Sequence, residues 1–203
     1  TIFKRREMII LKLGGSILSE KHAGKPLLRL AHIRRLARVL ALYRHTNPNV
    51  PILLLHGAGS FGHPIAHKYS FHRQPLDRER VRGMGQGIHA VRLLADGMNT
   101  IFLKAGLPIV PFQTSAMVMA RRGSLVAMNL SALRHVIAHG GIPVFGGDVV
   151  LDEKGNTAIA SADQLAVLLA QTFLRTRLLF ATDVDGVYRQ FPPKKGELPV
   201  QHL

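Results

Sequence analysis

Apolar residues fall in two rhythms along this chain. Short, largely apolar runs occupy residues 8–13 (Met-Ile-Ile-Leu-Lys-Leu), 52–55 (Ile-Leu-Leu-Leu), 142–145 and 177–181. Runs of that length predict strands buried on both faces of a parallel sheet. Residues 107–112 and 124–128 predict two more strands. Elsewhere apolar positions recur every three or four residues, over 27–45, 81–105, 130–139 and 162–173, which is the period of a half-buried helix. Asn47-Pro48-Asn49 and Gly140-Gly141 close two of these helices, and Ser161 caps the last, with Asp163 in its first turn. Residues 152–156 predict a hairpin turn between 149–151 and 157–160. A shorter helix is predicted over 64–69. The polar stretch 69–82, with Pro75 inside it, predicts a mobile lead into the helix at 81, whose start Gly83, Gly85 and Gly87 weaken. Strand and helix alternate, so the expected class is α/β: a three-layer αβα sandwich on a mostly parallel sheet, one domain over 1–203.

Four of these strands end in small or acidic residues: Gly14-Gly15-Ser16, Gly57-Ala58-Gly59-Ser60, Gly146-Gly147-Asp148 and Thr182-Asp183. In a parallel sheet, ligands sit beyond the carboxyl ends of the strands. A glycine-rich turn between a strand and a helix gathers backbone N–H groups around an anion, although one such turn alone is often only a tight connection. Two of them on one sheet edge point to phosphate binding. His56 and His63 bracket the second, and Lys12 ends the first strand, where a lysine needs a negative partner.

Two anion-type turns, Lys12 and Lys21, and no P-loop signature point to phosphoryl transfer between two phosphates. That chemistry needs alignment and charge neutralisation more than covalent help. Asp148 is expected to hold the lysines or orient magnesium, against a plain turn or cap role. Asp183 and Asp185 are expected near a nucleotide or its metal, against simple turn residues; Lys21 is otherwise a solvated loop lysine. An acceptor phosphate is already charged and needs no base, so His63 is expected to donate a hydrogen bond to it. His56 reads as structural, and no histidine set has metal-ligand spacing.

Composition narrows the classes. The chain has 203 residues, 47% of them hydrophobic, and no cysteine, which excludes disulfides and thiolate metal sites. No apolar run reaches bilayer-spanning length, and a cytoplasmic location with no membrane contact is expected. The formal net charge of +15 raises nucleic acid as a partner. Much of that charge lies on the outer face of the 27–45 helix, however, and three Tyr with no Trp offer little for base stacking.

Lys12-Leu-Gly-Gly-Ser16, His56-Gly-Ala-Gly-Ser-Phe-Gly-His63-Pro64, Gly147-Asp148 and Thr182-Asp-Val-Asp-Gly186 together resemble the amino acid kinase superfamily, and within it the isopentenyl phosphate kinases. The Ser-Phe-Gly-His-Pro piece is the selective one, shared with the related fosfomycin kinase. The resemblance implies ATP- and magnesium-dependent conversion of isopentenyl phosphate to isopentenyl diphosphate in isoprenoid biosynthesis, by a homodimer. It implies ATP contacts at Lys12, Gly14, Gly15, Ser16, Gly59, Thr182, Asp183, Gly186 and Tyr188. It places the acceptor phosphate against Gly57, Ala58, His63, Gly147 and Ala162, with Lys21 stabilising the transferring group and Asp148 organising the lysines. Ala162 stands where the family commonly has glycine. Ile88, Val91, Leu94 and Met98 are a candidate wall for the prenyl tail, against ordinary core packing. Family members continue past the position of Leu203, so the expected division is an acceptor-binding part over about 1–160 and an incomplete nucleotide-binding part over about 161–203. A phosphonate kinase is the neighbouring reading; a non-catalytic nucleotide sensor or nucleic-acid-binding domain is the reading of another class.

Overall fold

The computed structural model describes residues 7–20, 25–72, 74–121, 124–173, 175–190, 194 and 196–200. In chain order the elements are β1 (Met8–Leu13), α1 (Gly15–Leu18), α2 (Leu30–Thr46), β2 (Ile52–His56), α3 (Gly59–Tyr69), β3 (Gln74–Pro75), α4 (Arg78–Lys104), β4 (Ile109–Pro111) and α5 (Thr114–Met117). They continue with β5 (Val118–Arg121), β6 (Ser124–Met128), α6 (Ser131–Ala138), β7 (Ile142–Gly146), β8 (Asp148–Leu151), β9 (Asn156–Ala160), α7 (Ala162–Thr172) and β10 (Thr176–Ala181).

The central sheet has five strands in the order β10-β1-β2-β7-β4, and every pair is parallel. The apolar runs went where their pattern required. All of β2 is buried, and its Ile-Leu-Leu-Leu run feeds both faces. Leu53 and Leu55 join Ile10, Phe145, Leu133 and Leu165 in a core roofed by α6 and α7. Ile52 and Leu54 join Ile33, Leu40, Leu94 and Met98 beneath α2 and α4. The expected three-layer sandwich on a mostly parallel sheet is therefore the observed fold. Antiparallel β3-β9-β8 and the β5-β6 hairpin are the departures from parallel order.

Several elements differ from expectation. The helix expected from residue 64 begins at Gly59 and carries Pro64 inside it. The helix expected from residue 81 begins at Arg78, because the Asp77 side chain accepts from the Arg80 N–H and caps it. Gly83 and Gly87 are contact points, whereas Gly85 faces open space: a Cβ at Gly83 would lie 2.4 Å from the Tyr69 ring. Packing there outweighs the low helix propensity of glycine. Strands β3 and β5 and the one-turn helices α1 and α5 were not anticipated: β3 pairs with β9 within the stretch expected to be a mobile lead, and β5 is short and shifts register between Met119 and Ala120.

Candidate functional site

The four glycine or aspartate endings belong to β10, β1, β2 and β7, which are consecutive neighbours in the sheet. Backbone bonds lock each ending to the next. Gly14 N–H donates to Ala181 O (2.7 Å), Gly57 N–H to Leu13 O (2.9 Å) and Gly147 N–H to His56 O (3.0 Å). The two glycine turns touch directly. A Cβ on Gly15 would lie 2.4 Å from Gly59 N and 2.5 Å from Gly59 Cα, so only glycine permits this approach. Gly59 itself has φ +51°, a left-handed conformation that favours glycine. Ser19, wholly buried, clamps the pair: its Oγ donates to Gly15 O (3.0 Å) and accepts from Ser60 N–H (2.9 Å). On the far side Ser16 Oγ donates to Asp183 Oδ1 at 2.6 Å, tying the first turn to the end of β10.

A cavity of about 200 Å³ opens at this edge. One end is lined by Lys12, Gly15, Ala58, His63 and Gly147, with Ser161, Ala162 and Asp163 from the start of α7. The other end is lined by Ala66, Gly87, Val91, Val149 and Ile159. α3 and α7, each of 11 residues, both begin at the polar end, so their positive dipole ends face it. Ala58, the N-cap residue of α3, supplies no side-chain cap, and Ser19 Oγ takes only the Ser60 N–H, whereas α7 has a capping box between Ser161 and Gln164. Lys12 Nζ lies 2.8 Å from Asp163 Oδ1 and 5.9 Å from the Phe180 ring centroid. Its side chain is 13% exposed, which the interior tolerates because the ammonium is paired. The cavity thus offers amides and an ammonium at one end and hydrocarbon at the other. That arrangement suits an amphiphilic anion.

A family model described as the amino acid kinase family matches residues 7–199. The chain belongs to the amino acid kinase family. Within that family, the isopentenyl phosphate kinase of Methanothermobacter thermautotrophicus is 33% identical over 92% of this chain and 71% of its own length. That of Methanocaldococcus jannaschii is 32% identical over 93% of this chain and 74% of its own length. A solved isopentenyl phosphate kinase superposes with TM-score 0.80 at 33% identity, over 92% of this chain and 76% of that one. The product complex of the Thermoplasma acidophilum enzyme gives 0.77 at 26% identity, over 91% and 74%.

Within this amino acid kinase fold, the residues expected around an acceptor (Gly57, Ala58, His63, Gly147 and Ala162) all line the one cavity, together with Lys12 and Gly15. Gly14, Ser16, Gly59, Thr182 and Asp183 adjoin it through the turn contacts above; a Cβ on Gly14 would meet Thr182 at 3.6 Å. Gly186 instead packs against Pro199, and half-buried Tyr188 follows it; neither lines the cavity. Lys21 lies outside the described residues.

Asp148 is not what holds Lys12. Its carboxylate accepts from Ser115 N–H (3.2 Å) and Val149 N–H (2.8 Å), and burial pushes its pKa above the ordinary carboxylate range. Lys12 pairs instead with Asp163, because the α7 N-terminus packs over the end of β1, a partnership that sequence reasoning missed. Its one signal was an acidic residue in the first turn of a helix starting at the catalytic edge. Leu94 and Met98 are wholly buried core, so the tail end of the cavity takes only Val91 from the expected wall. Gly87, one turn earlier on α4, completes that face. Ile88 lines a second cavity of about 160 Å³, with His56, Asn99 and Thr114, behind Val91 and Asp148. His56 is structural: its ring lies over Gly146, Nδ1 is 3.3 Å from Gly57 O, and burial lowers its pKa to about 4.

Proposed function

We propose that this chain phosphorylates isopentenyl phosphate to isopentenyl diphosphate, with ATP as donor. The observation that carries the reading is the two-ended cavity, with phosphate-binding groups at Ala58, His63 and Gly147 and hydrocarbon at Val91, Val149 and Ile159. The names of its archaeal relatives agree with it. An oxygen of the acceptor phosphate attacks the terminal phosphorus of ATP. The bond from that phosphorus to the bridging oxygen breaks, and ADP leaves with the electron pair. The attacking oxygen is already anionic, so no protein base is required.

In this scheme His63 and the amides around Ala58 fix the acceptor phosphate, while the Gly14-Gly15 turn and Ser16 hold the donor. Lys12, oriented by Asp163, neutralises charge on the group in transit. Lys21 is assigned a similar role from the family resemblance. Among the described residues no cluster of three carboxylates or histidines forms a metal site. A magnesium ion arriving with ATP would neutralise charge on its phosphates. Homodimer formation and a cytoplasmic location belong to the same proposal. The dimer is supported by Leu93, Leu103 and Val110, exposed on α4 and the edge strand β4. No helix among the described residues is long and apolar enough to cross a membrane.

The test is turnover with ATP and magnesium against a panel of acceptors. Preference for isopentenyl phosphate supports the reading; preference for a phosphonate such as fosfomycin, or no transfer at all, overturns it.

A further inference from the structure

The outward face of α2 does not have the make-up of an ordinary solvated helix. Between Glu20 and Asp77 the sequence contains no acidic residue. Exposed helices usually set Glu or Asp against Lys or Arg one turn away. On α2 that spacing instead joins Arg34 to Arg38, two like charges. Arg44 is committed to the fold, donating to Val50 O and Gly140 O. Arg34, Arg35 and Arg38 are exposed and make no ion pair among the described residues.

Large apolar side chains stand among those cations. Val39 is 59% exposed and Leu42 66%. At 3.6 residues per turn, Arg35, Arg38 and Val39 all project within about 60° of the direction of Leu42. Ile33, Ala37 and Leu40 occupy the opposite, buried face. The helix is therefore amphipathic twice over: its inner face builds the core, and its outer face mixes arginine with aliphatic groups along about 25 Å.

We propose that this face docks on an anionic lipid surface. Arginine answers the headgroup phosphates, and Val39 and Leu42 enter the boundary between headgroups and acyl chains. A nucleic acid would use the arginines but has no comparable place for the two aliphatic side chains, and the outward face has no exposed Phe, Tyr or Trp for stacking. The proposal departs from the expectation of no membrane contact. It also stands apart from the kinase reaction, because none of these side chains lines the catalytic cavity. Arg29 N–H donates to Leu18 O at the start of α2, so the catalytic edge lies at one end of the docked helix.

The test is co-sedimentation with phosphatidylcholine vesicles, with and without phosphatidylglycerol, at low and high salt. Binding to the mixed vesicles only, and release by salt, are expected. Each basic side chain at such a surface is worth about fivefold, so R34Q/R35Q/R38Q should weaken binding about 100-fold. V39S/L42S should weaken it about tenfold while leaving binding to a DNA or RNA duplex unaltered. Both variants should keep wild-type kinase activity, which also reports that they fold. Equal binding to neutral vesicles, no vesicle binding, or vesicle binding unchanged in either variant overturns the proposal. So does duplex binding that outcompetes anionic vesicles.

Discussion

Gly15→Ala tests the catalytic edge with one methyl group. Gly15 does not need a left-handed backbone, so alanine introduces no conformational strain there, only volume. The added Cβ would lie 2.4 Å from Gly59 N and 2.5 Å from Gly59 Cα, both backbone atoms of the second glycine turn. Carbon makes ordinary contact near 3.5 Å, so the two turns must separate by about 1 Å. One turn is assigned to the donor phosphates and the other to the acceptor, so this displacement falls on the distance between the reacting groups. A misplacement of about 1 Å costs on the order of 100-fold in rate. The assay is kcat with both substrates saturating, alongside thermal unfolding. A kcat reduced about 100-fold in a folded protein is expected. Near-wild-type kcat would show that the contact between the turns does not set the alignment.

Four other changes follow from the same geometry. Ser19→Ala strands the Ser60 N–H in the interior and should cost about 1–3 kcal/mol of stability, with kcat falling more than either KM; losses confined to KM would argue against a clamp between the turns. Asp163→Asn should reduce kcat about tenfold or more by releasing Lys12. Because Asp163 is 58% exposed, its stability cost should stay below about 1 kcal/mol, and a lower unfolding temperature with intact kcat would contradict the assignment. His63→Ala should raise the KM for the acceptor far more than that for ATP, and equal increases would remove its acceptor role.

The fourth concerns pH. The pKa of His56 falls from 6.5 to about 4 on folding, so its contribution is present above 6.5 and is lost as pH falls toward 4. The loss amounts to about 2 kcal/mol at pH 5 and about 3 at pH 4. Asp148, with its pKa raised, acts in the opposite sense, so denaturant unfolding of wild type should be compared with His56→Leu across this range. Parallel stability curves for the two would mean that His56 does not titrate as its burial requires.

What could be read in the sequence was whatever depends on local pattern. The runs at 8–13 and 52–55 are apolar on both faces because both faces are roofed, and the glycine endings are visible because a phosphate cradle must be built from consecutive residues. The start of α3 was hidden for a physical reason. Pro64 disfavours helix in the residue before it, yet the helix begins five residues earlier because Ser19 and Gly15 hold its first turn in place. Likewise Gly83 and Gly87 look like breaks until the Tyr69 ring and Val149 are seen against them. The Lys12–Asp163 pair joins residues distant in sequence, and only the packing of α7 over β1 separates Asp163 from Asp148 as the partner. The packing of Gly186 against Pro199 likewise joins residues whose contact no local pattern shows.

The most direct test of the two-ended cavity is a crystal structure with isopentenyl phosphate bound. The phosphate is expected within hydrogen-bond distance of His63 and the amides at Ala58, with the tail against Val91, Val149 and Ile159. A tail lodged instead beside His56 and Asn99 in the second cavity, or a phosphate distant from both glycine turns, would contradict it.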